Sequence, residues 1–166
     1  MATNVAGRVA IGDDAPPADV VSLDIAAPAQ RLWELVSDIR NMPRWSPETY
    51  RTRWIGGATG PVVGARFRGY NRWHAIRWST VVEIEAADPA REFTFTVISF
   101  GKRRTKWSYL FQSTAAGTTV TETRTPYSTD FIRGSFQRFF MRGHVEGFRA
   151  GMLTTLRRLK AAAEAA

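Results

Sequence analysis

Few residues in this 166-residue sequence have the types and spacing that catalysis or metal binding requires. The sequence has no cysteine and two histidines, His74 and His144, so no metal site is indicated by ligand type or spacing. The preferred polar residue for a ligand pocket is Glu122, which strand alternation places among apolar side chains. A buried carboxyl group has a raised pKa unless it is paired. Arg124, two residues along the same face, is an available partner, so a purely structural ion pair is the alternative.

No recognised catalytic motif accompanies these residues. The sequence contains no GxSxG motif, no paired catalytic carboxylates and no glycine-rich loop of the phosphate-binding type. His74 is predicted on a surface hairpin, whereas His144 lies at the edge of an apolar helix face and is a candidate acid or base. We therefore expect no metal and no cofactor, and leave open whether the protein is an enzyme.

Composition narrows the class of protein. Apolar residues make up 44% of the sequence and aromatic residues 12%, enough for a core and for the lining of a ligand cavity. No stretch reaches the roughly 18 apolar residues of a membrane span. We expect a flexible leader without a signal peptide at 1–17, a single domain at 18–162 and a short tail at 163–166. The expected location is the cytoplasm, with peripheral attachment to a membrane as an alternative.

Hydrophobic alternation predicts about seven strands, the last six joined by short loops. Such short connections indicate an antiparallel meander, because parallel strands need long crossovers. Turns are predicted at Ala116–Gly117 and, as a basic hairpin tip, at Gly101–Arg104. Two short helices are predicted between the first and second strands, the first from an apolar stripe. The predicted strands are Val20–Ile25, Tyr50–Ile55, Ala65–Asn71, Trp78–Glu85, Glu92–Ser99, Thr105–Gln112 and Thr118–Thr125.

The C-terminal region is predicted to be helical. From Met141 to Leu159 the apolar residues share one face, which gives an amphipathic helix of about five turns that can lie on the sheet. The aromatic stretch before it has a differently directed stripe, so we expect a bend near Gly143. Glycines also recur every fourth residue at Gly143, Gly147 and Gly151, on the side away from the apolar face.

This order of elements resembles the SRPBCC superfamily, also called START-like or helix-grip, and within it the polyketide cyclase/dehydrase-like branch. The resemblance covers about residues 18 to 162 and rests on order and spacing rather than on one motif. It implies an α+β helix-grip fold, with an antiparallel sheet curved around a long C-terminal helix. It also implies a deep cavity between them for lipids, polyketides or other apolar molecules. The segments that carry it are 27–38, 43–47, 54–57, 63–67 and 151–160.

Strand alternation assigns the walls of such a pocket. The aromatic faces of the strands and one face of the helix should point inward, although plain core packing is the alternative for most of these residues. The predicted pocket residues are Trp54, Phe67, Asn71, Trp78, Phe93, Phe95, Trp107, Tyr109, Phe111, Glu122, Phe148 and Met152. The candidate gate consists of Trp45, Phe136, Phe139, Phe140 and His144.

The net charge of +8 favours anionic partners such as nucleic acid or an anionic membrane. Alternation places four arginines on the outward face: Arg51, Arg53, Arg66 and Arg68. Four more basic residues form the predicted hairpin tip: Lys102, Arg103, Arg104 and Lys106. A solvated sheet face is the simplest interpretation. Nucleic acid is disfavoured, because the aromatic residues lie on the opposite face from these cations.

The leading hypothesis is binding or transport of an apolar small molecule, with cyclase or dehydratase activity as an extension. The alternative is a basic module that contacts an anionic membrane surface or a partner without catalysis. The oligomeric state stays open.

Overall fold

The computed structural model describes residues 18–127 and 147–165. A 3₁₀ turn, Ile39–Asn41, links the two short helices. The elements in chain order are β1 (Asp19–Ile25), α1 (Ala29–Ser37), α2 (Met42–Trp45), β2 (Thr49–Ile55), β3 (Arg66–Trp73), β4 (Ile76–Asp88), β5 (Glu92–Ser99), β6 (Lys102–Thr114), β7 (Gly117–Pro126) and α3 (Phe148–Glu164). The predicted leader 1–17, the bend at Gly143 and the gate residues Phe136, Phe139, Phe140 and His144 lie outside the described residues.

The seven strands form one antiparallel sheet in the order β1-β7-β6-β5-β4-β3-β2. The meander places β2 to β7 in sequence order, and β1 closes the far edge against β7. The predicted α+β helix-grip architecture, with a curved sheet, two short helices after β1 and a C-terminal helix, is confirmed.

Two hairpin turns differ from the predictions. The β6–β7 loop is Ala115–Ala116 and not Ala116–Gly117, because Thr114 pairs with Gly117. The β5–β6 loop is Phe100–Gly101, because Ser99 pairs with Lys102, and Lys102 to Arg104 belong to β6. Both loop residues have positive φ, 51° and 70°, which lets two residues reverse the chain.

The inner face of the sheet carries the core. Alternate residues of the central strands are aromatic and buried, and Phe93 is fully enclosed. From α3, Met152, Leu156 and Leu159 reach the same core and are at most 1% exposed. One-sided burial of this kind is what an antiparallel sheet with a single covering layer requires.

The C-terminal half of α3 is bound tightly to β1 and its following turn. Lys160 Nζ donates to the Asp24 carbonyl at 2.9 Å, and the Ala26 amide donates to Glu164 Oε1 at 2.8 Å. Helix α3 continues to Glu164, and Ala163 in its last turn is buried.

The outer face of the sheet holds a polar network over β5. Glu83 accepts from Arg66 and Arg103, and Glu85 accepts from Arg103 and from the Thr96 hydroxyl. Thr96 is fully buried by this cover although it faces away from the core. The predicted outward direction is confirmed for Arg66, which Glu83 holds. Arg103 also lies on the outer face, where Glu83 and Glu85 hold its guanidinium.

Candidate functional site

Tyr109 on β6 and Glu122 on β7 stand directly opposite each other on the inner face. The Tyr109 hydroxyl donates to Glu122 Oε1 at 2.7 Å, and Glu122 is only 2% exposed. Burial raises the pKa of Glu122 to about 8, against the lowering effect of the tyrosine hydrogen bond. Burial also raises the pKa of Tyr109 well above its ordinary value, helped by the adjacent carboxyl group.

The protonation state sets the chemistry of the pair. A carboxyl group with a pKa of about 8 is mostly protonated at neutral pH. Its Oε1 then accepts from Tyr109, and Oε2 carries the proton and acts as a donor. Within the described part of the chain, Oε2 is buried and has no hydrogen-bond partner. An unmade hydrogen bond at a buried polar atom is costly and needs an explanation.

Arg124 does not pair with Glu122. Instead its Nη1 lies 3.0 Å from Asp19 Oδ2, because β1 places Asp19 directly opposite Arg124. The guanidinium carbon also lies 3.8 Å from the centroid of the Phe148 ring. Burial lowers the pKa of Arg124, and Asp19 opposes that effect. Because Arg124 pairs with Asp19, the Glu122 carboxyl group is available for another role. The ion pair links β7 to β1, and the contact with Phe148 links β7 to the start of α3.

A row of aromatic rings leads across the sheet to this pair. Trp54 and Phe67 lie 5.8 Å apart, Phe67 and Phe95 6.0 Å, and Phe95 and Tyr109 6.5 Å, all between ring centroids. The first two pairs have the edge-on geometry that aromatic rings favour. The inner face thus carries a continuous row of packed aromatic rings with one polar end at Glu122.

The other predicted pocket residues also lie on the inner face or reach it. Phe93, Phe111 and Met152 are buried in the core. Trp107 packs edge-on against Phe148 at 6.3 Å between ring centroids.

The polar part of the predicted pocket is hydrogen-bonded. Asn71 Oδ1 accepts a hydrogen bond from the Thr49 hydroxyl at 2.8 Å. Asn71 also lies directly opposite the half-buried Trp78 on β4.

Trp45, assigned to the gate from sequence, occupies a packing position. Its ring is 5% exposed, and its Nε1 donates to the Leu35 carbonyl at 3.2 Å. Trp45 thereby joins α2 to α1, and the Arg44 guanidinium covers the ring at 4.7 Å.

A cleft of about 530 Å³ lies between the first turns of α3, the β3–β4 hairpin and the segment before β2. None of the twelve predicted pocket residues lines it. Trp73 connects the two regions, because it follows Asn71 on the inner face of β3 and also lines the cleft. The lining residues are Pro47, Glu48, Arg72, Trp73, His74, Gly147, Ala150, Gly151 and Thr154.

Small residues make room for this cleft. Gly147, Ala150 and Gly151 present almost no side chain along the start of α3, and a Cβ at Gly151 would already lie 3.5 Å from Pro47. The glycine spacing in the sequence was the signal that could have located the cleft. The surface position predicted for His74 is confirmed. His74 also lines the cleft.

The described residues offer no grouping of three or more His, Asp or Glu side chains that could hold a metal ion. No helix among them is long and apolar enough to cross a bilayer.

Several solved structures are similar to this chain over most of its length. The Polyketide_cyc-like protein Cgl2372 from Corynebacterium glutamicum is 30% identical, with a TM-score of 0.62 over 89% of this chain and 91% of that one. Protein MLL2253 from Mesorhizobium loti is 18% identical, with a TM-score of 0.64 over 87% of this chain and 94% of that one. The di-domain ARO/CYC protein StfQ from the steffimycin biosynthetic pathway is 16% identical, with a TM-score of 0.67 over 89% of this chain and 50% of that one.

The comparison with curated proteins gave no match. A family model described as "Polyketide cyclase / dehydrase and lipid transport" matches residues 18–164, which is nearly all of the described chain. The chain belongs to the polyketide cyclase/dehydrase and lipid transport family.

Proposed function

We propose that the protein binds an apolar small molecule of lipid or polyketide type between the inner face of the sheet and α3. The observation that carries the proposal is the Glu122 carboxyl group, buried at the end of an aromatic row with one oxygen unpartnered among the described residues. Apolar walls with a few convergent polar groups are typical of small-molecule sites. Membership of the family supports the same class of ligand.

The polar end of the site selects a chemical feature of the ligand. The protonated Oε2 of Glu122 donates to an acceptor such as a ketone or ester carbonyl, while Tyr109 holds Oε1 at 2.7 Å. The aromatic row takes the apolar body of the ligand. The preferred ligand is therefore an apolar molecule with at least one carbonyl group.

The cleft at the start of α3 is the proposed entrance. Its lining of small residues on α3 gives access without displacement of large side chains. Trp73 belongs both to this lining and to the inner face, so it marks the proposed route from the cleft to the aromatic row.

Two fluorescent probes test the polar end. The naphthyl ketone prodan carries a carbonyl group, and N-phenylnaphthylamine is apolar without one. Both should bind, and Glu122→Leu should weaken prodan about tenfold while leaving N-phenylnaphthylamine unchanged, since one buried hydrogen bond is lost. Prodan binding should also weaken above about pH 8, where Glu122 ionises. Failure of both probes to bind the folded protein would refute the pocket, and an equal loss of both would refute the polar end.

A matched pair of tryptophan substitutions tests the entrance. Ala150 lines the cleft, and Ala161 is an exposed alanine further along the same helix. Ala150→Trp should slow the association of N-phenylnaphthylamine severalfold in stopped-flow measurements, because the large ring fills the cleft. Ala161→Trp should leave the rate unchanged. Equal rates for the two variants would exclude this route.

Cyclase or dehydratase activity is a second candidate function. The observation in its favour is that Glu122, with a pKa of about 8, has the proton affinity of a general acid at neutral pH. Such a group can donate to a carbonyl or to a departing hydroxyl of a polyketide-like substrate held on the aromatic row. Single-turnover assays with a short polyketide mimic would then show a rate that falls above about pH 8 and is lost in Glu122→Gln. A rate unaffected by that substitution would reject the acid role.

A further inference from the structure

The cleft shares one end of the sheet with two hairpin tips. Because neighbouring strands are antiparallel, the β3–β4 turn at His74 and the β5–β6 turn at Phe100 lie at the same end. The start of α3 lies there too, since Phe148 contacts Trp107 near the beginning of β6. We call this region, from Trp73–Ile76 to Ser99–Lys102, the cleft end.

The position of Phe100 is unfavourable for the stability of the fold. Its side chain is 88% exposed, and its φ of 51° lies in the left-handed region. Two-residue loops with positive φ at both positions favour Asn and Gly, and a bulky residue there is an outlier. Phe100 neither packs in the core nor suits its turn. Its presence at the tip therefore calls for a partner other than residues 18–127 and 147–165.

Exposed apolar side chains gather at the same end. Of the seven large apolar residues that are exposed within the described ranges, four lie here: Tyr50, Ile76, Phe100 and Tyr127. Two of the others, Val62 and Val63, lie at the opposite end in the β2–β3 loop.

The hairpin tips of the cleft end and the β2–β3 loop at the opposite end differ in charge. The hairpin segments 72–77 and 99–104 contain five Lys or Arg residues and no Asp or Glu. Arg103 is held by carboxylates on the outer face, but Arg77 and Lys102 are exposed. The opposite loop, 56–65, contains no charged residue. An exposed aromatic ring with cations beside it fits the interface of an anionic bilayer, where the ring enters the headgroup layer and the cations face phosphates.

We propose that the cleft end docks on an anionic lipid bilayer, with Phe100 inserted among the headgroups and Arg77 and Lys102 facing lipid phosphates. The docked orientation turns the cleft toward the membrane. This surface lies outside the ligand site and does not depend on the identity of the ligand.

Vesicle sedimentation tests the proposal with a pair of matched substitutions. The wild-type protein should bind phosphatidylcholine vesicles that contain phosphatidylglycerol, and bind pure phosphatidylcholine weakly. Phe100→Asn should lower the affinity about tenfold, because the buried ring area is lost. Val63→Asn, in the uncharged β2–β3 loop at the opposite end, should leave the affinity unchanged.

Thermal unfolding separates docking from folding. Asn suits the turn better than Phe, so Phe100→Asn should keep or raise Tm by about 2–4 °C while vesicle binding falls. Lys102→Gln should lower vesicle affinity about fivefold at low salt, and added salt should remove the difference. Soluble glycerol phosphate should not compete, since the proposed partner is the bilayer and not a free phosphate.

Three results would overturn the proposal: no binding of the wild type to anionic vesicles, equal losses for Phe100→Asn and Val63→Asn, or displacement by glycerol phosphate. Prodan binding by Phe100→Asn should match the wild type, so failure of docking and failure of the ligand site give different patterns.

Discussion

Replacement of Glu122 by Gln should remove a pH dependence of stability that the wild-type protein carries. The folded pKa of Glu122 is about 8, and the ordinary value is 4.5. Between these values the folded state keeps a proton that the unfolded state has lost. Stability must therefore fall as pH rises through this window and become level above about pH 8.

The magnitude follows from the shift. Each pH unit within the window contributes about 1.4 kcal/mol, so between about pH 5 and pH 7 the contribution of Glu122 falls by about 2–3 kcal/mol. Gln cannot ionise, but its amide oxygen can still accept from Tyr109 at a similar volume. The difference in unfolding free energy, Gln variant minus wild type, should therefore rise by that amount over the same interval.

Urea unfolding at several pH values measures this difference, and other titrating groups cancel between the two proteins. Glu164→Gln is a suitable control, because Lys160 holds the pKa of that exposed carboxyl group below its ordinary value. Its difference from wild type should be level over the same interval. A Glu122→Gln difference that is independent of pH would refute the conclusion that this carboxyl group is buried and protonated.

Two further substitutions test the supports of the site by urea unfolding. Asp19→Ala leaves the Arg124 guanidinium buried without its carboxylate, 3.0 Å away in the wild type, and should cost about 2–4 kcal/mol. A cost close to zero would show that Arg124 finds other solvation. Gly117→Ala should cost more than about 2 kcal/mol, because a Cβ there would meet the Ile25 carbonyl oxygen at 2.2 Å. Gly56→Ala, also at positive φ but in open space, should cost about 1 kcal/mol, and equal costs would contradict the steric explanation.

The sequence predicted the inner face well, because alternation with a period of two depends only on local pattern. It did not predict the pairing across strands. A turn at Ala116–Gly117 would set Tyr109 opposite Arg124, whereas the loop is Ala115–Ala116 and sets Tyr109 opposite Glu122. A shift of one residue in a hairpin loop moves the pairing by two residues and keeps the same face inward. The identity of the Glu122 partner therefore depended on turn geometry.

The sequence did not predict the cleft, and the reason is a different one. Its walls come from three segments far apart in the chain, near Pro47, Trp73 and Ala150. Only the segment near Ala150 carries a pattern, the recurring glycines, and that pattern does not show which other segments face it. Their meeting depends on the hairpin length of β3–β4 and on the direction in which α3 crosses the sheet, and neither follows from hydrophobic periodicity. The exposed position of Phe100 was also not predicted. The basic segment Gly101–Arg104 looked like the turn, so Phe100 was not recognised as the first loop residue.

The unequal attachment of α3 along its length has a consequence for local opening. Its last two turns are held by Lys160, Glu164 and the buried Leu159, whereas its first turns line a cleft through Ala150 and Gly151. The free energy of local opening should therefore increase along the helix from its beginning to its end. Amide hydrogens near Met152 should exchange with solvent faster than those near Leu159. Separation of the first turns from the sheet can thus widen the cleft while the rest of the fold stays intact.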